Sequence, residues 1–289
     1  MTELLVQLVG GITYGGILLL ISLGLTIVFG IGRVINFAHG ILYALGAFLG
    51  VSVAEHYGFF LALVICPLIV ALISAVIDSL LLRRIREKPM IITLIVTFGI
   101  LLILSNGISH IWGTTVRFVE LPLFAKGSWE LMGGRIAKYQ ILAATVSISV
   151  ASLMLLGMYK TKLGVKLRAA SEDPDKAELV GINVNRLFSI VFALGGGLAA
   201  FAGVISAPQY GAVLGMEDIL VYIFVIIILG GLGSLRGTVV ASFLVGTVIS
   251  VGAGYVAQWA NMFVFIMLLA TLVVRPRGIF NEGRLILTS

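Results

Sequence analysis

The sequence predicts an all-α, polytopic transmembrane helix bundle of about eight or nine spans, some of them broken, with one short cytoplasmic helix. Of the 289 residues, 60% are hydrophobic and only 11% are charged, and the mean hydropathy is +1.16. A chain of this composition cannot form the surface of a soluble protein. Its apolar runs approach the length of about 20 residues that one helical crossing of a bilayer needs. We therefore expect a single transmembrane domain over residues 1–289.

Nine apolar runs, separated by short polar segments, are the candidate spans. The first has no basic segment before it and is too long for a cleaved signal, so it is interpreted as a retained span. Cys66 is the single cysteine and lies inside the third run, so it is expected to pack in the interior without forming an internal disulfide. The seventh and ninth runs are short and are expected to be half-helices or tilted segments. The runs cover residues 4–29, 34–54, 59–82, 90–112, 139–159, 187–207, 219–232, 238–257 and 259–274.

The positions of basic residues predict which loops face the cytoplasm, because Lys and Arg are retained on that side during insertion. The loops at 55–56, 208–218 and 257–261 contain no Lys or Arg, and loop 113–138 is placed outside despite its four basic residues. With Arg33 and Arg236 inside, the runs alternate from an external N-terminus to an internal C-terminus. The net charge of +6 is thus attributed to topology rather than to nucleic-acid binding. The clustered basic residues are Arg83, Arg84, Arg86, Lys88, Lys160, Lys162, Lys166, Arg168, Lys176, Arg186, Arg275, Arg277 and Arg284.

Glycine is abundant, with 35 residues, and much of it lies within the runs. Pairs such as Gly46 and Gly50 allow helix backbones to touch, which is how helices associate in lipid. Two glycine-interrupted stretches, 29–33 and 229–236, each end one apolar run and precede another. Corresponding interruptions in two halves of a chain are typical of discontinuous helices in repeat-built transporters. The predicted helix breaks are at Gly30, Gly32, Gly230, Gly231 and Gly233.

The longest polar interruption late in the chain, residues 160–186, is predicted to be cytoplasmic and to contain a short helix over 174–180. Asp173 is a favourable N-cap, Pro174 suits the first helical position, and Gly181 supplies the stop. So short a helix needs a packing partner. Its alternating charge, with Ala177 and Val180 on one side, fits a groove of another protein. Packing against its own bundle is the alternative, and the residues alone leave both open.

This segment resembles the coupling loop of permeases from branched-chain (hydrophobic) amino-acid ABC importers. Residues 24–30 (GLTIVFG), 35–40 (INFAHG), 230–237 (GGLGSLRG) and 275–279 (RPRGI) are also similar to that family, so the resemblance spans the chain. It is closest to the first of the family's two permease subunits. It implies a bacterial inner-membrane protein that pairs with a second related permease, two cytoplasmic ATPases and a periplasmic solute-binding protein. The coupling positions it implies are Gly164, Glu172, Asp173, Pro174, Asp175, Ala177, Leu179 and Gly181.

No Gly-x-x-x-x-Gly-Lys-Ser/Thr motif occurs in the sequence, so ATP, if it drives transport, is bound by another polypeptide. We expect no cofactor or metal on this chain. An enzyme is disfavoured, because Ser234 is not in a Gly-x-Ser-x-Gly turn and the three histidines lack metal-ligand spacing. The expected function is therefore uptake of small solutes, above all branched-chain amino acids. A permease for urea or short amides, and a carrier or channel without an ATPase, remain alternatives.

Polar residues inside a span usually face the protein interior or a wet cavity. Asn36, His39 and Tyr43 are spaced i, i+3 and i+7, which places them on one helix face, and we expect this face to border the translocation route or its gate. The alternative is that Asn36 and His39 only bond backbone groups freed by the nearby glycine break. Asp78 is expected to pair with Arg83 or Arg84 at the inner interface, because a proton relay would need more intramembrane acids.

Overall fold

The computed structural model describes residues 2–32, 35–86, 88–131 and 134–280. Arg33 and Arg284, both assigned to the cytoplasmic side from the sequence, lie outside this part. The described chain is almost entirely helical, with one two-stranded hairpin. Its elements are α1 (Thr2–Gly32), α2 (Ala38–Tyr57), α3 (Phe59–Ile77), α4 (Arg83–Ile85), α5 (Met90–Trp112), β1 (Ser128–Leu131), β2 (Gly134–Ala137), α6 (Lys138–Lys160), α7 (Lys162–Glu172), α8 (Pro174–Leu179), α9 (Val184–Tyr210), α10 (Ile219–Gly230), α11 (Leu235–Val256) and α12 (Ala260–Val274).

Seven helical segments of the described chain are long and apolar enough to cross a membrane, so the protein is a multi-pass membrane protein. A π-helical turn, Asp78–Leu82, joins α3 to α4, and a 3-10 turn, Ala257–Trp259, joins α11 to α12. The expected eight or nine spans agree roughly with this count. The difference comes from the two runs recognised as short: α10 has 12 residues, and α12 has 15 and continues the α11 segment.

Helices α1, α2 and α9 form the centre of the bundle, and α11 packs along α1. The most apolar stretch of α1 is 83% buried, whereas those of α3 and α5 are each 22% buried. Helices α3 and α5 therefore lie at the periphery, with most of their apolar side chains on the outside of the bundle. Glycines set the spacing in the centre, as predicted: a Cβ at Gly46 would collide with the backbone of Ala200 on α9, and one at Gly246 with the backbone of Gly15 on α1.

The bundle has two chemically different ends. At the end that we call the basic end, Arg86 donates hydrogen bonds to Asn185 at the start of α9, and α7 packs against α1. At the opposite end, the loop that follows α5 pairs with the segment after α9 through the bridge between Arg117 and Ala212. The β1–β2 hairpin belongs to this loop. The described residues of loop 113–138 thus lie away from the basic end, and its external location stays a prediction.

The two glycine interruptions differ from each other. Helix α1 continues through Gly30 and ends at Gly32, so of the two breaks predicted here Gly30 is not one and Gly32 is the last helical residue. Packing outweighs the roughly 1 kcal/mol helix penalty of one glycine, because the neighbouring Ile31 is buried. In the second stretch, α10 does end at Gly230, and Gly231 and Gly233 adopt φ angles of 105° and 83°. Only glycine adopts such angles without strain.

Candidate functional site

A cavity of about 570 Å³ enters the bundle between α1, α9, α10 and α11, toward the end opposite the basic end. Its floor lies beside the 3-10 turn Met216–Asp218, where the chain re-enters the bundle from the opposite-end loop and begins α10. Its size falls in the range of about 300–1,000 Å³ that is usual for small-molecule sites. The lining residues are Val6, Gln7, Gly10, Tyr14, Tyr43, Gln140, Gln209, Tyr210, Gly211, Val213, Met216, Asp218, Ile219, Tyr222, Ile249, Ser250 and Ala253.

A second, more polar cavity of about 670 Å³ adjoins the first at the surface and shares Val6 and Gln7 with it. Gln7 is held against α11, because its Oε1 and its backbone oxygen both accept hydrogen bonds from Ser250 Oγ. Arg135 of the hairpin lines this outer cavity. The two cavities therefore lie side by side, with Val6 and Gln7 between them.

Of the three residues predicted to border a translocation route, only Tyr43 lines the cavity. Its hydroxyl donates a hydrogen bond of 2.8 Å to Ser206 on α9. His39 is 1% exposed, and its Nε2 lies 2.9 Å from the carbonyl oxygen of Ile21 on α1. The imidazole fits there because Gly24 has no side chain. His39 does bond a backbone group, as the alternative interpretation expected, but this group lies more than two helical turns before Gly30. The role of His39 at the route or its gate stays a prediction.

Asn36 does not lie on a helix face, because α2 begins only at Ala38. Its side-chain oxygen accepts a hydrogen bond of 3.0 Å from the Ala38 amide, and its backbone oxygen accepts one from the His39 amide. Asn36 thus organises the start of α2. Its buried Nδ2 has no partner within the described residues.

The two glycine interruptions approach each other inside the bundle. A Cβ at Gly233, in the turn between α10 and α11, would lie 4.0 Å from the Cα of Gly30 on α1, and Gly230 packs directly on Gly237. One helical turn deeper in the bundle, the hydroxyls of Thr26 and Thr238 are 2.8 Å apart and share a hydrogen bond. These contacts tie α1 to the α10–α11 turn although more than 200 residues separate them in sequence.

The segment 160–186 folds as two helices, of which the first, α7, was missed from the sequence. Thr161 caps it by accepting a hydrogen bond from the Gly164 amide, and its buried residues Gly164, Leu167 and Ala170 are spaced for one helix face. Both the Thr161 cap and this spacing are visible in the sequence and could have predicted α7. Gly164 is required because any side chain there would collide with the carbonyl oxygen of Met158 at the end of α6.

The second helix, α8, begins as predicted. Asp173 accepts a hydrogen bond of 3.1 Å from the Lys176 amide, Pro174 is the first helical residue, and Gly181 follows the helix with φ 83°. The Lys176 side chain and amide beside Asp173 hold the pKa of that carboxyl below its usual range. Glu172 and Asp175 are exposed beside this cap.

The sequence predicted that Ala177 and Val180 share one side of α8, and this prediction is wrong. Ala177 is buried against the bundle, whereas Val180 is 76% exposed, because Val180 lies beyond the helix end and no longer follows its periodicity. The exposed apolar surface of α8 consists instead of Leu179, which is 86% exposed, and Val180. Leu179 and Val180 are therefore two adjacent exposed aliphatic side chains at the basic end.

A buried ion pair lies next to this segment. Asp78 is fully buried and accepts two hydrogen bonds from Arg86, at 2.5 and 2.6 Å. It also accepts one from Ser189 on α9. The predicted partners, Arg83 and Arg84, are exposed. The π-helical turn after Asp78 shifts the helical phase, which turns those two residues outward and brings Arg86 back to the carboxylate.

The same arginine joins α4 to α9. Its guanidinium lies 4.0 Å above the centre of the Phe188 ring and donates to the side chain and carbonyl of Asn185. Phe188 in turn packs against Gly32 at the end of α1, where a side chain would collide with the ring. We call Asp78, Arg86, Phe188 and Ser189 the basic-end clamp. It connects α1, α4 and α9 directly after the α8 segment.

Within the described residues, no group of three or more His, Cys, Asp or Glu side chains is arranged to hold a metal ion. The cavity was not predicted, because its lining comes from five separate parts of the sequence: residues 6–14, 43, 140, 209–222 and 249–253. Its one visible signal in the sequence is Gln209-Tyr210 beside a loop predicted to be external.

Comparison with known proteins identifies similar sequences along nearly the whole chain. The family model for the permease component of the branched-chain amino acid transport system matches residues 7–272. The chain is 31% identical to the high-affinity branched-chain amino acid transport system permease protein BraD of Pseudomonas aeruginosa, over 96% of this chain and 95% of that protein. It is 29% identical, with the same coverage, to the corresponding permease protein LivH of Salmonella typhimurium. It is 26% identical to the permease protein LivM of Escherichia coli, over 79% of this chain and 59% of that protein. No solved structure matches.

Proposed function

The chain belongs to the family of permease components of branched-chain amino acid transport systems, and from this membership we propose that it is the membrane permease subunit of an ATP-binding-cassette importer. It takes up branched-chain or other hydrophobic amino acids across a bacterial inner membrane, while separate subunits hydrolyse ATP. The match of the family model to residues 7–272 is the observation that carries this proposal. The chain itself supplies the path and the mechanical linkage.

The proposed assembly contains a second, related permease, two cytoplasmic ATPases and a periplasmic binding protein. The similarity to both LivH and LivM, two differently named permeases of such systems, supports a pair of related permeases. The binding protein delivers solute to the end of the bundle opposite the basic end. There the outer and inner cavities open between the α1 and α11 ends.

The α8 segment docks onto the ATPase on this proposal. Leu179 and Val180 offer an apolar surface of the kind that inserts into a groove of a partner. Residues Gly164, Asp173, Pro174 and Gly181 build the segment that presents it. Movement of α8 reaches the bundle through the start of α9, where Arg86 of the basic-end clamp binds Asn185 and Ser189 belongs to the clamp itself.

The route runs through the cavity that Tyr43 lines. At its basic side, the contact of Gly30 with Gly233 and the hydrogen bond between Thr26 and Thr238 close the path. Opening on that side requires α1 and the α10–α11 turn to separate, which the rocking of helix groups described for other transporters would accomplish.

The coupling role is tested by Leu179→Asp in the complete complex reconstituted in liposomes. We expect ATP hydrolysis to persist while leucine uptake falls at least about tenfold, because a charge in the apolar groove costs several kcal/mol. Val165→Asp, on the half-exposed face of α7, is the matched control and should retain uptake. Coupled uptake in the Leu179 variant at wild-type level would contradict α8 docking. ATP-independent uptake by the chain alone would instead support a carrier.

A further inference from the structure

The inner cavity carries an uneven distribution of charge. Of its described lining residues, Asp218 is the only charged one, and none is Lys, Arg or His. A cavity lined by one sign of charge concentrates ligands of the opposite sign. It therefore favours a cationic group on a ligand and offers no ion pair to an anionic one.

The carboxylate of Asp218 is available to a ligand, although an aspartate at a helix N-cap usually accepts a hydrogen bond from the first turn of that helix. Asp218 is the N-cap of α10, but its side chain makes no capping hydrogen bond, and the residue is exposed where it lines the cavity. The adjacent Glu217 is occupied: its carboxylate accepts hydrogen bonds from Ser105 Oγ at 2.7 Å and from the Gly215 amide at 3.1 Å. The two neighbouring acids thus differ, one holding the turn and one facing the cavity.

Aromatic rings surround the same space. Tyr14, Tyr43, Tyr210 and Tyr222 line the cavity, and Tyr14 meets Tyr210 edge to face at 5.7 Å. Tyrosine faces attract an ammonium group within about 6 Å of the ring centre. Aliphatic side chains fill the remainder of the wall: Val6, Val213, Met216, Ile219, Ile249 and Ala253. The wall therefore matches a ligand with one ammonium and an apolar body.

The carboxylate of an amino acid finds only neutral donors here. Gln7, Gln140 and Gln209 line the cavity, and their amides donate equally well to a carboxylate or to a neutral amide. Recognition of the two ends of an amino acid is thus expected to be unequal. The ammonium is held by charge, whereas the carboxyl end is held by neutral hydrogen bonds.

From this geometry we propose that the permease itself contains a solute-selective site, in which Asp218 and the four tyrosines bind small solutes that combine a primary ammonium with an aliphatic group. The site discriminates at the ammonium and tolerates a neutral group in place of the carboxylate. This inference rests on the proposed function in one respect, that the solute passes through this cavity. It adds a selectivity step after the binding protein has released its cargo.

The test measures equilibrium binding to the full chain, purified in detergent with its partner subunits but without binding protein. The probes are radiolabelled leucine and, as competitors, leucine amide and 4-methylpentanoate, which lacks the ammonium. We expect leucine and leucine amide to bind and 4-methylpentanoate not to compete. Asp218→Asn should weaken leucine binding about 10- to 100-fold, the value of a charge-assisted hydrogen bond. Asp218→Glu should retain more affinity than Asp218→Asn.

Glu55→Gln is the matched control, since it removes an exposed acid that lines neither cavity and should bind leucine like the wild type. Absence of leucine binding to the wild type, equal competition by 4-methylpentanoate, or unchanged binding in Asp218→Asn would each overturn the site. The proposed function is judged separately, by ATP-driven uptake in liposomes with binding protein. A complex that transports leucine while Asp218→Asn binds it normally would refute only the site.

Discussion

Removing the carboxylate of Asp78 should destabilise the bundle far more than removing a neighbouring surface charge. Asp78 is completely buried, whereas the side chain of its partner Arg86 is 14% exposed. The change Asp78→Ala leaves the guanidinium with its hydrogen bonds to Asn185 only. Breaking a buried ion pair by removing one partner costs about 3–5 kcal/mol.

We expect the lower end of this range, about 3 kcal/mol, for Asp78→Ala. Two features of the structure limit the cost: Arg86 retains its place above the Phe188 ring, and its slight exposure gives it some contact with water. Exchange of both partners for apolar residues, Asp78→Leu with Arg86→Met, should cost less than Asp78→Ala, because no charge then remains buried without a partner.

The measurement is the free energy of unfolding of the purified chain in mixed detergent micelles. Arg84→Ala is the matched control, because Arg84 is exposed close to Arg86 and surface changes usually stay within about 0.5 kcal/mol. If Asp78→Ala and Arg84→Ala unfold alike, the ion pair does not stabilise the clamp. The variants Asp78→Leu and Arg86→Met are also measured singly. If the double exchange costs the sum of these two single changes, Asp78 and Arg86 act independently, which would also refute the reasoning.

Two further changes probe the bundle centre and its polar contacts. Gly203→Val should lower the free energy of unfolding by at least about 1–3 kcal/mol, because a Cβ at Gly203 collides with the Tyr43 carbonyl. Gly99→Val is the control, because nothing lies within 4 Å of a Cβ at this position on α5. Equal losses of stability in the two variants would argue against close packing of α2 on α9. His39→Gln should leave leucine uptake near the wild-type level at equal expression, because His39 does not line the cavity. It should lower the free energy of unfolding by about 1 kcal/mol, because His39 bonds the Ile21 carbonyl. Loss of uptake in a variant of wild-type stability would instead show that His39 borders the translocation route.

Several features followed from local sequence alone because their causes are local. The N-cap at Asp173, the proline after it and Gly181 act within a few residues, so α8 was located before its surroundings were known. The length of the seventh and ninth apolar runs likewise predicted two short helical segments. In the structure these are α10, with 12 residues, and α12, with 15 residues.

Other predictions failed where packing outweighed the local pattern. Asn36 was assigned to a helix face by spacing, but α2 begins two residues later and uses Asn36 to organise its first turn. Asp78 was assigned the nearest arginines, but the π-helical turn selected Arg86. In both cases regular helical periodicity was assumed across a position where the helix is absent or distorted.

The sequence by itself determined that the chain is a multi-span bundle, which end of it is basic, and where α8 begins, because hydropathy, charge and capping act over short distances along the chain. Only the tertiary structure decided which residues share a cavity and which arginine Asp78 binds. Tyr14, Tyr43, Tyr210 and Asp218 meet because α1, α2, α9 and α10 pack together, and no local pattern encodes a contact between segments so far apart in sequence. The candidate solute site is therefore a product of helix packing, which in lipid depends on close fit between backbones.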